Sequence, residues 1–321
     1  MDPNACMQML TPDYWPARLG QIEDSLRRLR RGRVETFGLS AGNRPLWAVV
    51  YEAPGATQTL CIVGGTHGHE PGTCVSCVNA MHVLEHGRDL KGDRLPALSE
   101  AAERINLLFI PVLNADGRAR LPAGFHATWS DNTIPYERGV NAGHKLNQGE
   151  NGELLDGIDP SAMVLLGGRY NDAGFLMNRP TSVTETRNVE VRQMLDWLDR
   201  YPPDCLVDLH ACGSNFFIMN RMLPEPYREK MRAINGRVTD ILQARGSQIG
   251  PIDGDQEPSE SGFVSNVRMV YHRFGSLAFV FEGRQGYLNF PPLFGYDRIV
   301  DDYLTVIAET AAYGAEEGFR P

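Results

Sequence analysis

The chain has no apolar run approaching the length of a membrane span, so no bilayer-crossing helix is expected. It has only six cysteines in 321 residues. That is far below the density of a disulfide-stapled secreted scaffold, and free thiols in a reducing, cytoplasmic compartment are the expectation. The first residues, Met1 to Cys6, lack a basic stretch followed by an apolar core and a cleavage site, and no secretory leader is expected. Basic residues are outnumbered, 31 Lys and Arg against 40 Asp and Glu, for a formal net charge of -9. A nucleic-acid surface would need a clustered basic excess, so none is expected. The one basic run, Arg27-Arg28-Leu29-Arg30-Arg31, is assigned to the solvated face of a helix whose apolar stripe is Leu19, Ile22, Leu26 and Leu29. No internal repeat or low-complexity linker interrupts the chain.

What is present is an ordinary globular composition, 42% hydrophobic and 22% charged, with enough length for a large core. Apolar runs at Pro45 to Tyr51, Thr59 to Val63, Asn106 to Val112, Cys205 to Leu209, Phe216 to Met219 and Leu277 to Phe281 predict strands. Several are continuously apolar, as in a sheet covered on both faces. Helical spacing falls between them. Ser182-Val-Thr-Glu185 has capping-box spacing ahead of Val191, Met194, Leu195 and Leu198. A second stripe runs through Tyr227, Met231, Ile234, Val238 and Ile241, and a third through Ile299, Tyr303, Val306 and Ile307. This alternation predicts a three-layer α/β/α sandwich.

The most informative segment is Gly64-Gly65-Thr66-His67-Gly68-His69-Glu70, at the end of a predicted strand. An imidazole and a carboxylate three residues apart can reach one divalent ion. Cys205-Leu-Val-Asp-Leu-His210 ends a second strand in a histidine, and Leu277 to Phe281 delivers Glu282 in the same manner. In open α/β sheets, functional groups gather beyond the carboxyl ends of the strands. His67, Glu70 and His210 are therefore candidate ligands of one zinc ion per chain, with Glu282 left as a free carboxylate. His69 is read as a non-ligand. Cys74 and Cys77 lack a second pair to complete a tetrahedral site and are read as small core residues. His82, His86, His126, His144 and His272 have no partner pattern.

The ordered set resembles the zinc carboxypeptidase family of metallopeptidases, over about residues 34 to 310. Leu113-Asn114-Ala115-Asp116-Gly117 resembles the family's Asn-Pro-Asp-Gly turn. Arg169-Tyr-Asn171-Asp-Ala-Gly-Phe-Leu176-Met-Asn178-Arg179 resembles its Arg-x-Asn-x-x-Gly-Val-Asp-Leu-Asn-Arg stretch, Ser182 to Arg187 its Pro-Glu-Thr-Arg, and Asp208-Leu-His210 its last ligand strand. Gly139 to His144 offers a competing match but lacks the arginine. The resemblance implies a mixed, mainly parallel sheet in one catalytic domain spanning 1–321, with a helical extension at 1–33 and a long insertion at 121–168. Two departures stand out. Leu176 replaces the Asp that supports the first ligand histidine, so another acceptor is required, Asp116 or a backbone carbonyl. The family's active-site tyrosine is missing from its usual place, and Tyr271 and Tyr287 lie closer to Glu282.

The resemblance implies zinc-activated water with Glu282 as general base. Arg169 would stabilise the developing oxyanion, and Arg179 with Asn178 would bind a free carboxylate beside the scissile amide. Arg284 is read as structural. The expected substrate is a small peptide or N-acyl amino acid, with no nucleic-acid or membrane partner. An N-acyl amino acid deacylase of the aspartoacylase or desuccinylase type is the nearest alternative. A catalytically silent carboxylate-binding protein is a third, disfavoured by retention of Glu282.

Overall fold

A computed structural model describes residues 11–121, 134–150, 153–212, 215–252, 265–284 and 295–321. In chain order these form α1 (Leu19–Leu26), β1 (Arg33–Leu39), β2 (Pro45–Tyr51), β3 (Thr59–Val63), α2 (Pro71–His86), α3 (Pro96–Ala101), β4 (Asn106–Ile110) and α4 (Ala115–Arg120). There follow α5 (Ile134–Arg138), β5 (Gly139–Asn141), β6 (Met163–Leu166), α6 (Val189–Leu198), β7 (Cys205–Cys212), β8 (Phe216–Ile218), α7 (Glu225–Ala244), α8 (Asn266–Phe274), β9 (Leu277–Arg284) and α9 (Tyr296–Glu317).

Seven strands form one sheet in the order β1-β2-β4-β3-β7-β9-β8. The inner strands β4, β3, β7 and β9 are mutually parallel, while β2 and β8 run against their neighbours, so the sheet is mixed and mainly parallel. Alternate residues of each inner strand feed two separate cores, as the two-residue repeat of a strand requires. Leu60, Ile62, Val207, Leu209, Phe279 and Phe281 face α1, α2, α3, α7 and α9. Cys61, Val63, Leu206, Ala278 and Val280 face α6 and α8. This double covering explains why the inner strands read as unbroken apolar runs, and it makes the molecule the three-layer sandwich expected from the sequence.

β1 was not legible, because its edge position leaves Val34 and Leu39 exposed and removes the apolar run that marks the others. Two helix boundaries differ from expectation. α1 ends at Leu26, so the basic run lies in the turn beyond it, where the backbone amides of Arg30, Arg31 and Gly32 donate to the Glu85 carboxylate. Ser182 to Glu185 does not open α6. Its Ser182 amide donates to the Glu185 carbonyl in a local turn, and the helix is capped by Asn188, whose side chain accepts from the Val191 amide at 3.1 Å. The capping-box spacing therefore misled, because the Ser182 hydroxyl accepts from the Thr184 amide at 3.2 Å, a local hydrogen bond that competes with capping. The described residues between 121 and 168 include α5 and the antiparallel β5-β6 pair.

The capping assignment predicts that Asn188→Ala lowers unfolding free energy by about 1 to 2 kcal/mol, whereas Ser182→Ala changes it by less than about 0.5 kcal/mol. Urea unfolding of both variants checks this, and the reverse ranking would restore the earlier helix start.

Candidate metal centre and active site

The parallel strands β3, β7 and β9 end side by side, and the chemistry collects at those ends. Beyond β3 the chain turns sharply through residues 64 to 70. The turn is pinned by Thr73, whose hydroxyl donates to the Glu70 carbonyl at 2.7 Å and accepts from the Gly65 amide at 2.9 Å. Gly68 lies so close to α4 that a Cβ there would stand 2.2 Å from the Gly117 carbonyl carbon, so only glycine permits this approach. Its amide donates to the Gly168 carbonyl, which couples the turn to the segment carrying Arg169.

The turn presents His67 and Glu70 to His210 of β7. His67 Nδ1 stands 2.8 Å from Glu70 Oε1 and 3.0 Å from His210 Nδ1, and His210 Nδ1 is 3.5 Å from Glu70 Oε2. All three residues are buried. Donors about 2.1 Å from a shared tetrahedral centre stand roughly 3.4 Å apart, so these spacings fit one zinc ion. Glu70 Oε2 is buried yet makes no hydrogen bond of ordinary geometry, a costly state that a bound cation would relieve. Burial works against the Glu70 charge, but the His67 and His210 imidazoles outweigh it and hold the carboxylate well below its usual range. His69, stacked beside His67, lies outside this cluster; burial pushes its pKa down to about 3.

A second acidic group, Asp89, Asp93 and Asp301, also converges among the described residues, but the Lys91 ammonium sits among its carboxylates. An internal cation thus already contacts all three carboxylates of that cluster.

His210 is oriented from behind. Its Nε2 lies 3.0 Å from Asp208 Oδ2, and the other Asp208 oxygen accepts from the Thr66 hydroxyl at 2.6 Å. A proton held on Nε2 leaves the Nδ1 lone pair for a metal. This function of Asp208 was not drawn from the sequence, although its position two residues before His210 places both on one face of β7.

His67 lacks such support, and Asp116 does not supply it. The Asp116 oxygens are engaged by the Ser40 hydroxyl, the amides of Gly42 and Asp172, and the Arg44 guanidinium. Leu176 is buried and apolar. Among the described residues His67 Nε2 instead meets Arg169 Nη1 at 3.3 Å. A guanidinium can only donate, so a metal on Nδ1, which requires the proton on Nε2, would turn the Arg169 head away from the ring.

Arg169 is fixed at its other end by Glu137 of α5, whose carboxylate accepts from Nε at 2.7 Å. No sequence motif marked Glu137. The Met177 amide donates to the Arg169 carbonyl, folding the stretch 169–179 back on itself so that both ends face one cavity. This cavity, about 360 Å³, is lined by His67, Arg169, Asn178, Arg179, His210 and Glu282, with Arg179 exposed at its rim.

Glu282 lies directly beside His210 in the β7-β9 register and opens to the cavity. Burial, together with the Glu70 and Asp208 charges and against the pull of His210 and Arg169, pushes its pKa up to about 7. The next residue, Gly283, lets Tyr303 pack against the strand, since a Cβ there would stand 2.2 Å from the ring. The Tyr303 hydroxyl donates to the His210 carbonyl at 2.6 Å. Tyr271 sits on α8 in edge contact with Tyr227, packed against the core, and Tyr287 lies outside the described residues.

The family model for zinc carboxypeptidases matches residues 24–290. The chain belongs to the zinc carboxypeptidase family. It is thereby a metallopeptidase, and zinc is the metal its three-donor cluster fits. Solved structures similar to this zinc carboxypeptidase include the metallo-carboxypeptidase from Burkholderia cenocepacia, at 16% identity and TM-score 0.64, covering 92% of this chain and 67% of that one. The thrombin activatable fibrinolysis inhibitor is similar at 13% identity and TM-score 0.64, with 98% and 83% covered. A metallo-carboxypeptidase from Pseudomonas aeruginosa in complex with (2-guanidinoethylmercapto)succinic acid gives 17%, 0.57, 93% and 69%. At these identities the likeness is one of fold. The chain spans about two thirds of the length of the two bacterial enzymes. No curated protein matches the sequence. No described helix is long and apolar enough to cross a membrane.

Asp208→Asn is expected to weaken zinc binding by about 10- to 100-fold while leaving the fold intact, because the amide no longer fixes the His210 tautomer. Competition against a chelator of known affinity, with thermal unfolding as the folding control, checks this; unchanged affinity would remove Asp208 from the centre.

Proposed function

We propose that this chain is a zinc-dependent carboxypeptidase that cleaves the amide beside a free carboxylate in a small peptide or N-acyl amino acid, with His67, Glu70 and His210 as zinc ligands. The observation that carries this reading is the convergence of that donor cluster, Glu282 and the Asn178-Arg179 pair on one cavity. A bound zinc ion supplies a Lewis acid for the scissile carbonyl and makes water nucleophilic near neutral pH.

The remaining steps belong to the protein. Glu282 accepts the proton of the attacking water and returns it to the leaving nitrogen, two tasks suited to a carboxyl titrating near neutrality. Arg169 keeps its Nε on Glu137 and offers its remaining N–H groups toward the carbonyl oxygen, where one preorganised donor contributes roughly 3 to 4 kcal/mol. Arg179 binds the terminal carboxylate through its planar fork, with Asn178 adding a donor. The described cysteine side chains Cys61, Cys74, Cys77 and Cys205 are buried free thiols, which supports a reducing, cytoplasmic setting.

Glu282→Gln is expected to retain zinc and substrate while losing at least about 100-fold in kcat. In the wild type, kcat/KM should rise with pH as Glu282 ionises, with a midpoint below about 7 because a bound cation favours the carboxylate. That acid limb should vanish in the Gln variant. A Gln variant with wild-type turnover and an unchanged pH profile would move the base elsewhere.

Amidating the substrate's terminal carboxylate should lower kcat/KM by about two orders of magnitude, and Arg179→Ala should make free and amidated substrates equal. Equal wild-type rates on the two substrates would contradict the carboxypeptidase reading.

A further inference from the structure

α2 carries two histidines that the zinc centre does not use. His82 and His86 stand one turn apart, His82 half-buried and His86 exposed, and their ring centroids are 4.4 Å apart with the planes tilted by 51°. Side chains at this spacing share one face of a helix, a relation that exists only once the segment is helical. The end of the helix shapes the pair further. Gly87 adopts the left-handed conformation that closes many helices, with φ 72°, and its amide donates to the Val83 carbonyl at 2.7 Å. The reversal brings the Arg88 carbonyl to 2.7 Å from His82 Nδ1. A carbonyl can only accept, so Nδ1 carries the proton and Nε2 of the neutral ring keeps its lone pair. A backbone carbonyl on one ring nitrogen is the support that fixes the tautomer of a metal-ligating histidine. The charged groups nearest in the chain are engaged elsewhere. The Glu85 carboxylate accepts from the amides of Arg30, Arg31 and Gly32 and from the Tyr51 hydroxyl, and the Arg88 guanidinium donates to the Gly92 carbonyl. The partial negative charge at a helix carboxyl end also favours a cation here.

We propose that His82 and His86 form a second metal site, which takes a borderline divalent transition-metal ion through one nitrogen of each imidazole, with water in the remaining positions. Donors about 2.1 Å from one ion stand roughly 3 Å apart at neighbouring positions, a spacing that rings this close reach when the exposed His86 rotates about its side-chain bonds. α2 starts at Pro71, directly after the ligand Glu70, and at 1.5 Å per residue the pair stands roughly 20 Å further along the helix. The site is therefore separate from the zinc centre and does not depend on the carboxypeptidase reading. An ion held across one turn binds the helix more tightly than the unfolded chain, so its occupancy stabilises the folded protein.

The test is calorimetric titration of Ni²⁺ into zinc-loaded wild type, His82→Ala, His86→Ala and His272→Ala, with the zinc content of each sample measured afterwards. Wild type should take up one nickel ion while keeping its zinc. His82→Ala and His86→Ala should each weaken that uptake by at least about 10-fold, because a two-point chelate becomes a single ligand. His272→Ala, which removes a histidine of α8, should leave it unchanged. The unfolding temperature should rise with Ni²⁺ in wild type and stay constant in His86→Ala. Should His82→Ala fail to fold, the exposed His86→Ala decides alone. No uptake beyond the zinc centre at about 0.1 mM free Ni²⁺, uptake only in exchange for zinc, or uptake that His86→Ala leaves unchanged overturns the proposal.

Discussion

The constraint on which the site depends is the burial of a carboxylate, Glu70, between two imidazoles at the ends of parallel strands. An isolated charge in that position would be expelled or neutralised. Glu70 stays ionised because His67 and His210 approach it within 2.8 and 3.5 Å, and one of its oxygens remains without an ordinary hydrogen bond. That residual deficit suits the cluster to a cation. The fold serves this arrangement directly. β3 and β7 are adjacent and parallel, so the turn after β3 meets His210 near the end of β7, and β9 adds Glu282 one strand further.

Around this centre, support is uneven. His210 is fixed from two sides, by Asp208 on its ring and by Tyr303 on its backbone carbonyl. His67 faces Arg169, a donor where a metal ligand needs an acceptor. The loss of an acidic residue at Leu176 thus has a structural counterpart: Asp116 has been recruited into a separate network with Arg44 and Asp172 and is not at hand.

Much of this was legible in the sequence. The inner strands are continuous apolar runs because both sheet faces are covered, and the ligand residues sit at the ends of those runs. Edge strand β1 was not, since an exposed edge carries no such signal. The start of α6 was misplaced because Ser182 makes a local turn while Asn188 caps the helix. Asp208 could have been found, since its two-residue spacing from His210 puts both on one strand face. Glu137 could not, because it meets Arg169 from a separate element with no shared motif and only the tertiary fold brings the two together.

The most direct measurement of the central claim is equilibrium dialysis of metal-stripped wild-type protein against zinc, with hydrolysis of a blocked dipeptide followed on the same samples. The account predicts saturation at one zinc per chain, with activity rising in proportion to occupancy. Activity that survives complete removal of the metal, or a folded chain that takes up no zinc at micromolar concentration, would contradict it.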